Sequence, residues 1–201
     1  MTSDSERIIG LYQRHAARWD ALRAPGSLFE KPWLDRFLAL VPAGGSILDV
    51  GCGAGLPISG YLIGQGRAVT GVDSSEPLLD LCRRRFPRNA WIAADMRTLD
   101  LGRRFDGVIA WDSFFHLSPE DQERMFPVFA RHAADGAALM FTGGPQRGSV
   151  LGEFEGEPLY HGSLDPAEYA ELLDQVGFDA VAQVQEDPAC GGHCIWLAKR
   201  R

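Results

Sequence analysis

Three glycines behind a carboxylate are the part of this 201-residue sequence with the clearest chemistry. Gly51, Gly53 and Gly55 follow Asp49 at the end of a short apolar run. In an open α/β sheet such a turn lies at the carboxyl ends of the strands, where ligands bind, and glycine lets the backbone touch the ligand because it has no Cβ. A dinucleotide fingerprint needs its third glycine at position 56, which is Leu56. The spacing of the glycines therefore argues against a dinucleotide-binding dehydrogenase.

Strands and helices alternate around this turn. The predicted strands are short apolar runs at residues 47–50, 68–72, 90–94, 105–111, 137–141, 178–184 and 194–198. Helical patterns between the earlier strands indicate a parallel sheet with helices on both faces. The last two strands leave no room for a helix between them, so they must be antiparallel. We predict an α/β fold with a doubly wound, seven-stranded, mostly parallel sheet that ends in an antiparallel hairpin.

The predicted helices begin at capping residues or at proline. Ser3 begins the first helix, which carries Tyr12 and Trp19 seven residues apart and ends at the Pro/Gly segment 24–27. Further helices are predicted at residues 30–40, from 57 to 64 or 66, from Ser74 or Ser75 to 86, from 118 onward and at 165–176. We expect a single domain, residues 1–201, in which a helical cap (1–42) precedes a Rossmann-like core (46–201).

The longest stretch without a predicted strand or helix runs from Gly143 to Leu164. An irregular segment of this length is typical of a lid or a substrate wall. Its glycines make it easy to move, and it carries Phe154, Tyr160 and His161, whose rings gain from being covered. We expect residues 143–164 and the first helix to close together over a ligand site.

The acid and the alternating glycines of residues 49–55 resemble motif I of the class I S-adenosylmethionine-dependent methyltransferases. The similarity continues along the chain, because Asp73 ends the second predicted strand and Asp95 and Met96 follow the third. The resemblance implies that Asp73 receives both ribose hydroxyls of the cofactor, since a carboxylate can accept from two neighbouring donors. It also implies that Asp95 and Met96 meet the adenine ring.

Further cofactor contacts follow from the same resemblance. It places Trp111, at the end of the fourth strand, beside the methionine part of the cofactor, and it closes the N-terminal helix over the cofactor. The implied cofactor is S-adenosylmethionine, and the implied binding residues are Tyr12, Trp19, Asp49, Gly51, Gly53, Asp73, Ser74, Asp95, Met96 and Trp111. The resemblance covers roughly residues 30–201 and implies the Rossmann-like class I methyltransferase fold.

Two histidines are candidates for the acid–base chemistry. Methyl transfer needs a base only if the acceptor carries a proton to lose, and imidazole has a suitable ordinary pKa. His116 follows the fourth predicted strand, and His161 lies in the 143–164 segment. The segment from Cys190 to Cys194 contains three soft metal ligands with no fourth partner nearby, so we predict a tight hairpin turn there and no metal site.

Charge and composition narrow the partners. The net charge of −7 disfavours nucleic acid and anionic membranes, and no apolar run is long enough for a transmembrane helix. A polar N-terminal stretch and four cysteines fit a protein of the reducing cytoplasm. The expected partner is a small-molecule methyl acceptor, and the sequence leaves monomer and homodimer open.

The predicted function is therefore methyl transfer from S-adenosylmethionine to a small molecule. Two alternatives stay open at this point. One is a methyltransferase that acts on a macromolecule, although the segment after the fourth strand lacks the Asn/Asp-Pro-Pro-aromatic motif of nucleic-acid amino methylation. The other is a subunit that binds S-adenosylmethionine without catalysing transfer.

Overall fold

The computed structural model describes residues 4–23 and 28–201. The predicted cap at Ser3 and the predicted break at 24–27 lie outside these residues. The described helices are α1 (Asp4–Arg14), α2 (Ala16–Arg23), α3 (Lys31–Leu38), α4 (Ile58–Gly64), α5 (Glu76–Arg85), α6 (Pro119–His132) and α7 (Pro166–Gln175). The strands are β1 (Ser46–Val50), β2 (Ala68–Asp73), β3 (Ala90–Ala93), β4 (Phe105–Ala110), β5 (Ala133–Gly143), β6 (Gly148–Phe154), β7 (Glu157–Ser163), β8 (Phe178–Asp187) and β9 (His193–Arg200).

Seven strands form one mixed sheet in the order β3-β2-β1-β4-β5-β9-β8. Strands β1 to β5 are parallel to their neighbours within this set, and β9 runs antiparallel to both β5 and β8. This confirms the predicted α/β fold and its antiparallel C-terminal hairpin. Because the chain order reverses between β1 and β4, their carboxyl ends open into a crevice that can hold a ligand.

Apolar side chains cover both faces of this sheet. On one face α6 and α7 enclose a group of buried rings: Phe114, Phe126, Phe129, Phe141, Tyr169 and Trp196. On the other face α3, α4 and α5 pack over buried residues of β1 and β2, including Ile47 and Val69. With both faces covered, the strand edges at the crevice are the part of the sheet that remains for a ligand.

The local signals for helix ends agree with the structure at three helices. Ser118 accepts a hydrogen bond from the Asp121 amide at the start of α6, and Asp165 and Glu168 form a capping box at the start of α7. Of the two predicted caps for α5, Ser75 occupies the N-cap position. None of the helices in the described ranges combines the length and the apolar character that a membrane span requires.

Two elements differ from the prediction. The first helix bends at His15 into α1 and α2, although backbone bonds from His15 to Leu11 and from Trp19 to His15 continue across the bend. Residues 143–164 are not irregular: β6 and β7 form an antiparallel hairpin. Its turn is Glu155-Gly156, where both residues have positive φ, as the tight two-residue hairpin turn requires.

Candidate functional site

A cleft of about 1020 Å³, part of it open to solvent, lies along the carboxyl edge of the central strands. We call it the main cleft. All ten residues predicted to bind the cofactor line it: Tyr12, Trp19, Asp49, Gly51, Gly53, Asp73, Ser74, Asp95, Met96 and Trp111. His116 lines it as well.

The glycine turn needs its glycines. Gly51, Gly53 and Gly55 have φ values of 77°, 54° and 77°, which side-chain-bearing residues rarely adopt. A Cβ on Gly51 would lie 2.2 Å from the Cβ of Ser113 and 3.3 Å from the Cε of Met96. The bare backbone therefore brings the ends of β1 and β4 together and leaves the cleft open beside them.

Asp73 fixes this turn from the end of β2. Its Oδ2 accepts from the Gly53 amide at 2.8 Å, and its Oδ1 accepts from the Ser75 amide at 2.8 Å. Burial raises the pKa of Asp73, and these backbone donors oppose the shift. Because a carboxylate oxygen can accept more than one hydrogen bond, both oxygens keep capacity for neighbouring ligand hydroxyls.

Asp49 lies deeper under the turn. Its side chain is 2% exposed, and its Oδ2 accepts from the Ser59 hydroxyl at 2.5 Å. Burial raises the pKa of Asp49 to about 7, with a smaller contribution from the charge of Asp73, while Ser59 opposes the shift. The group that opens the glycine motif is therefore a carboxyl poised to change its charge near neutral pH.

Asp95 and Met96 follow the end of β3 and line the main cleft. The guanidinium of Arg97 binds both oxygens of Asp95 at 2.6 to 3.0 Å and also reaches Asp121 at 3.4 Å. Asp95 is thus already engaged by a cation, and only its remaining lone pairs can accept from a ligand. Sequence reasoning did not anticipate Arg97 at this position.

Trp111, which follows β4 and lines the same cleft, carries an unpaired donor. Trp111 is 4% exposed, and its indole Nε1 has no hydrogen-bond partner among the described residues. A buried donor without a partner is costly, so its position in a cleft lining is what a ligand or an ordered water would explain.

The N-terminal helices line the main cleft, and the β6–β7 hairpin packs against these helices. We call the helices and the hairpin the cover. The Tyr12 ring packs edge-on to Trp19 at 5.2 Å and stacks on Phe154 of β6 at 6.3 Å. Exposed ion pairs join the same elements, because Glu157 binds Arg14 and His15, and Arg18 binds Glu155. Two rings of the cover, Tyr12 and Trp19, therefore line the cleft, and Phe154 packs behind them.

His116 stands where the cover meets the sheet edge. Its Nδ1 lies 2.8 Å from the Tyr160 carbonyl and its Nε2 lies 2.9 Å from the Tyr12 hydroxyl. A carbonyl only accepts, so Nδ1 carries the proton and Nε2 accepts from Tyr12. Burial lowers the pKa of His116 to about 4, helped by the neighbouring His161, and burial also raises the pKa of Tyr12. Both groups are therefore neutral at pH 7.

His161 is not in the main cleft. It lines a second cleft between the β6–β7 hairpin and the β8–β9 connection, with a volume of about 1150 Å³ that includes open solvent. Its ring centroid lies 5.1 Å from that of His116, and burial lowers its pKa. The two predicted catalytic histidines thus meet at the boundary between the clefts.

A third histidine at this boundary was not predicted to be functional. Nε2 of His193 lies 2.7 Å from Oδ1 of Asp112, which itself lines the main cleft. The ring of His193 stacks on Trp111 and lines the second cleft. Burial opposes protonation of His193, but Asp112 and the Cys190 carbonyl raise its pKa overall. The segment 190–194, predicted as a hairpin turn, therefore also places the His193 side chain against Asp112 of the main cleft.

Some of the missed residues left a signal in the sequence. Asp112 directly follows the predicted fourth strand, and an Asp at a strand end is a common site of positive φ; here φ is 49°. Arg23 lies one helical turn after Trp19 and lines the same cleft. The sequence carried no such signal for His193, because its contact with Asp112 depends on the pairing of β9 with β5.

Comparison with known proteins agrees with this arrangement. Residues 47–136 match the family described as the methyltransferase domain. A curated relative from Streptomyces fradiae, dTDP-3-amino-3,6-dideoxy-alpha-D-glucopyranose N,N-dimethyltransferase, is 33% identical over 102 residues, which is 49% of this chain. The matched segment spans only 40% of that relative's length.

Solved structures share the fold over nearly the whole chain. The magnesium protoporphyrin IX methyltransferase of Synechocystis PCC 6803, with bound S-adenosylmethionine, superposes with a TM-score of 0.76 at 19% identity, covering 100% of this chain and 99% of that one. An amino pentose methyltransferase of Micromonospora echinaspora gives 0.72 at 21% identity, covering 92% and 97%. At these identities the likeness establishes the fold.

Proposed function

Since the chain belongs to the class I S-adenosylmethionine-dependent methyltransferases, we propose that it transfers a methyl group from S-adenosylmethionine to a small-molecule acceptor. One observation carries the proposal: the ten residues that the family resemblance assigns to the cofactor line a single cleft. The curated relatives are N,N-dimethyltransferases of amino sugars, which supports a small acceptor.

The residues of the main cleft fit the cofactor. The glycine turn leaves the space that a Cβ would fill, Asp73 offers two oxygens for the ribose hydroxyls, and Met96 lies where a ring can pack. Trp111 offers its unpaired indole donor. When bound, S-adenosylmethionine supplies an electrophilic methyl group on its sulfonium. The chain's own part is to bind, orient and exclude water, since positioning provides most of the rate in a displacement with a good leaving group.

Tyr12 and His116 form the proton path of the proposed reaction. The Tyr12 hydroxyl faces the cleft and donates to Nε2 of His116, whose low pKa keeps that lone pair available at neutral pH. As an acceptor group loses its proton to the Tyr12 oxygen, Tyr12 passes its own proton to Nε2. His161 extends the basic surface toward the second cleft and has no direct bond to Tyr12 in this arrangement.

The cover acts as the lid of the site in this proposal. The rings of Tyr12 and Trp19, which Phe154 packs against, exclude water from the cleft. The exposed ion pairs between the helices and the hairpin can break and reform. The four cysteines, none of them in a disulfide, fit a reducing compartment such as the cytoplasm.

Calorimetry tests the cofactor assignment. We expect S-adenosylhomocysteine to bind and NAD to bind poorly. Replacing Asp73 by Ala should lower the affinity for S-adenosylhomocysteine about tenfold or more, since two ribose hydroxyls and the turn lose a charged acceptor. The matched control is Asp135→Ala, whose side chain is 85% exposed and far from the cleft. If Asp73→Ala binds S-adenosylhomocysteine as tightly as the wild type does, Asp73 does not bind the ribose. If the wild type binds NAD as tightly as S-adenosylhomocysteine, the proposed function is overturned.

Transfer itself is tested with S-adenosylmethionine labelled on the methyl group. The protein is incubated with a small-molecule cell extract, or with bulk RNA, DNA or protein. Label in small molecules supports the proposal. Stoichiometric label in RNA, DNA or protein would instead indicate a methyltransferase that acts on a macromolecule. Cofactor binding without transfer to any fraction would indicate a subunit that binds S-adenosylmethionine without catalysing transfer.

A further inference from the structure

Helix α2 of the cover is joined to α5 by an ion pair that differs from those at the hairpin. Arg85 donates to both carboxylate oxygens of Asp20, at 2.7 and 2.6 Å, and the two side chains are 26% and 16% exposed. Arg18, which binds Glu155 of the hairpin, is 56% exposed. A two-pronged bond between a guanidinium and a carboxylate fixes both groups in one plane, and water screens a covered pair less than an exposed one. The ion pair at α2 is therefore the firmer of the two.

The same guanidinium reaches the glycine turn. Nη1 of Arg85 donates to the carbonyl of Ala54 at 3.0 Å. Ala54 lies between Gly53 and Gly55 in the sequence, and it lines the main cleft. Arg85 itself is not among the residues that line this cleft. A side chain outside the ligand site thus connects the backbone of the turn to the cover.

Trp19, the neighbour of Asp20 in the chain, lies against the turn. A Cβ on Gly53 would be 3.6 Å from the indole Nε1 of Trp19. With Tyr12, Trp19 packs against a small apolar cluster whose buried members are Ala16, Ala54 and Leu78. Because Trp19 and Asp20 belong to the same short helix, holding the carboxylate of Asp20 also limits how far the Trp19 ring can move from the turn.

A neighbouring arginine of α5 makes contacts of a different kind. Arg83 binds Glu76 and Asp80 of its own helix, and its side chain is 40% exposed. It also reaches the Trp91 carbonyl at 3.4 Å. The ion pairs of Arg83 support α5 itself, whereas the contacts of Arg85 join the turn, α5 and α2. Arg83 is therefore a matched control for Arg85 in the same helix.

We propose that Arg85 is a positioning residue for the cofactor, which holds the α2 end of the cover on the glycine turn and so limits the rate at which S-adenosylhomocysteine leaves. The inference rests on the proposed function and adds the control of product release to it. The cover then opens from its hairpin end, while Trp19 stays beside the turn. Lifting the α2 end would instead leave the carboxylate of Asp20 and the guanidinium of Arg85 unpaired in a mostly buried place, which is costly.

The dissociation rate of S-adenosylhomocysteine tests the inference, because a held cover acts on release more than on binding. Labelled ligand is chased with an excess of unlabelled ligand in the wild type, in Asp20→Ala, in Arg85→Met, in the double variant and in the control Arg83→Met. Methionine keeps much of the apolar stem of arginine and removes its donors. Asp20→Ala leaves both groups of the Arg85–Ala54 bond in place, so it separates the anchoring of the cover from direct support of the turn.

The two single variants should have the same effect. Asp20→Ala and Arg85→Met should each raise the dissociation rate constant by about tenfold, and the double variant should be no faster than Arg85→Met, because both changes break one junction. Arg83→Met should stay within about twofold of the wild type. If Asp20→Ala releases the ligand as the wild type does, or if the two effects multiply in the double variant, Arg85 does not act through the cover and the inference is overturned. Failure of the wild type to bind S-adenosylhomocysteine instead overturns the proposed function.

Hydrogen exchange in the free proteins separates positioning from general stability. In Asp20→Ala the amides of α2 should exchange faster than in the wild type, while those of β1 and β4 should exchange at the same rate. Faster exchange in β1 and β4 as well would mean that the junction stabilises the whole fold, and unchanged exchange in α2 would mean that the junction does not hold this helix. Either result contradicts the inference.

Discussion

The two walls of the main cleft are held in place by different forces. On one side, the glycine turn is fixed by backbone geometry and by the half-buried carboxylate of Asp73, which holds the Gly53 amide at 2.8 Å. On the other side, the cover is joined by ring contacts and by ion pairs whose members are about one third to one half exposed. Exposed pairs of this kind contribute little to stability and weaken with salt.

Because they are held differently, the two walls suit different roles in ligand binding. A turn that cannot relax presents the same backbone donors whether or not a ligand is bound, so it suits a fixed cofactor-binding surface. A cover held by weak exposed contacts can open without breaking the core, because the central strands form their own hydrophobic faces. Binding should therefore change the cover and leave the turn as it is.

The largest expected effect comes from filling the turn. Gly51→Ala combines an unfavourable φ with a contact of 2.2 Å to Ser113, and should weaken binding of S-adenosylhomocysteine by about 100-fold or more. Gly66→Ala is the matched control, since Gly66 has a φ of 75° and a Cβ placed there would have nothing within 4 Å. Calorimetry should show its affinity within about twofold of wild type. Equal losses in the two variants would mean that backbone strain, and not the shape of the turn, controls binding.

A second prediction concerns His116, where the two walls meet. Its pKa of about 4 lies below the ordinary value of 6.5, so the unfolded chain binds the proton more readily between these values. As pH falls from 6.5 to 4, the wild type should lose stability relative to His116→Gln by up to about 1.4 kcal/mol per pH unit. Above pH 6.5 the difference should be constant.

Urea unfolding across this pH range measures that difference. The opposite pH dependence of Asp49, whose raised pKa favours the folded state at low pH, is present in both proteins and cancels. A difference that does not change with pH would show that the His116 ring is not held neutral by the cover.

The smallest effect is expected from loosening the cover alone. A Cβ on Gly162 of β7 would lie 2.4 Å from the Leu117 carbonyl, so Gly162→Ala should push the hairpin away from the segment that carries His116. We expect the dissociation constant of S-adenosylhomocysteine to rise by about fivefold. Gly152→Ala, in the same hairpin with its nearest neighbour at 3.7 Å, should bind as the wild type does. If both variants bind S-adenosylhomocysteine equally well, the position of the hairpin does not influence cofactor binding.

The contrast between the two walls also explains which features of the molecule could be predicted from its sequence. The glycine turn and Asp73 were predictable because each depends on local spacing and on the rule that ligands bind at strand ends. The mostly parallel sheet was predictable from the alternation of strands and helices along the chain. The β6–β7 hairpin was missed because its strand residues alternate poorly: Val150 and Leu151 are adjacent, and both are exposed. The Glu155-Gly156 pair was the available signal of a tight turn, but Glu is not among the residues that usually begin one.

The acceptor side was less predictable for a physical reason. His116 could be placed at the strand edge, but its neutral state depends on burial by a hairpin from far along the chain. Asp112 and His193 are 81 residues apart and meet only because β9 inserts beside β5. Contacts that depend on sheet order beyond consecutive strands leave no spacing pattern in the sequence.

Hydrogen exchange with and without S-adenosylhomocysteine tests the account most directly, because it reads both walls in one measurement. With saturating ligand, protection should rise in residues 8–20 and 148–163 of the cover by more than it changes in β1 and β4. Equal exchange of the cover in the free and bound protein, at a ligand concentration that calorimetry shows to be saturating, would contradict the account, because the cover would then not close over a bound cofactor.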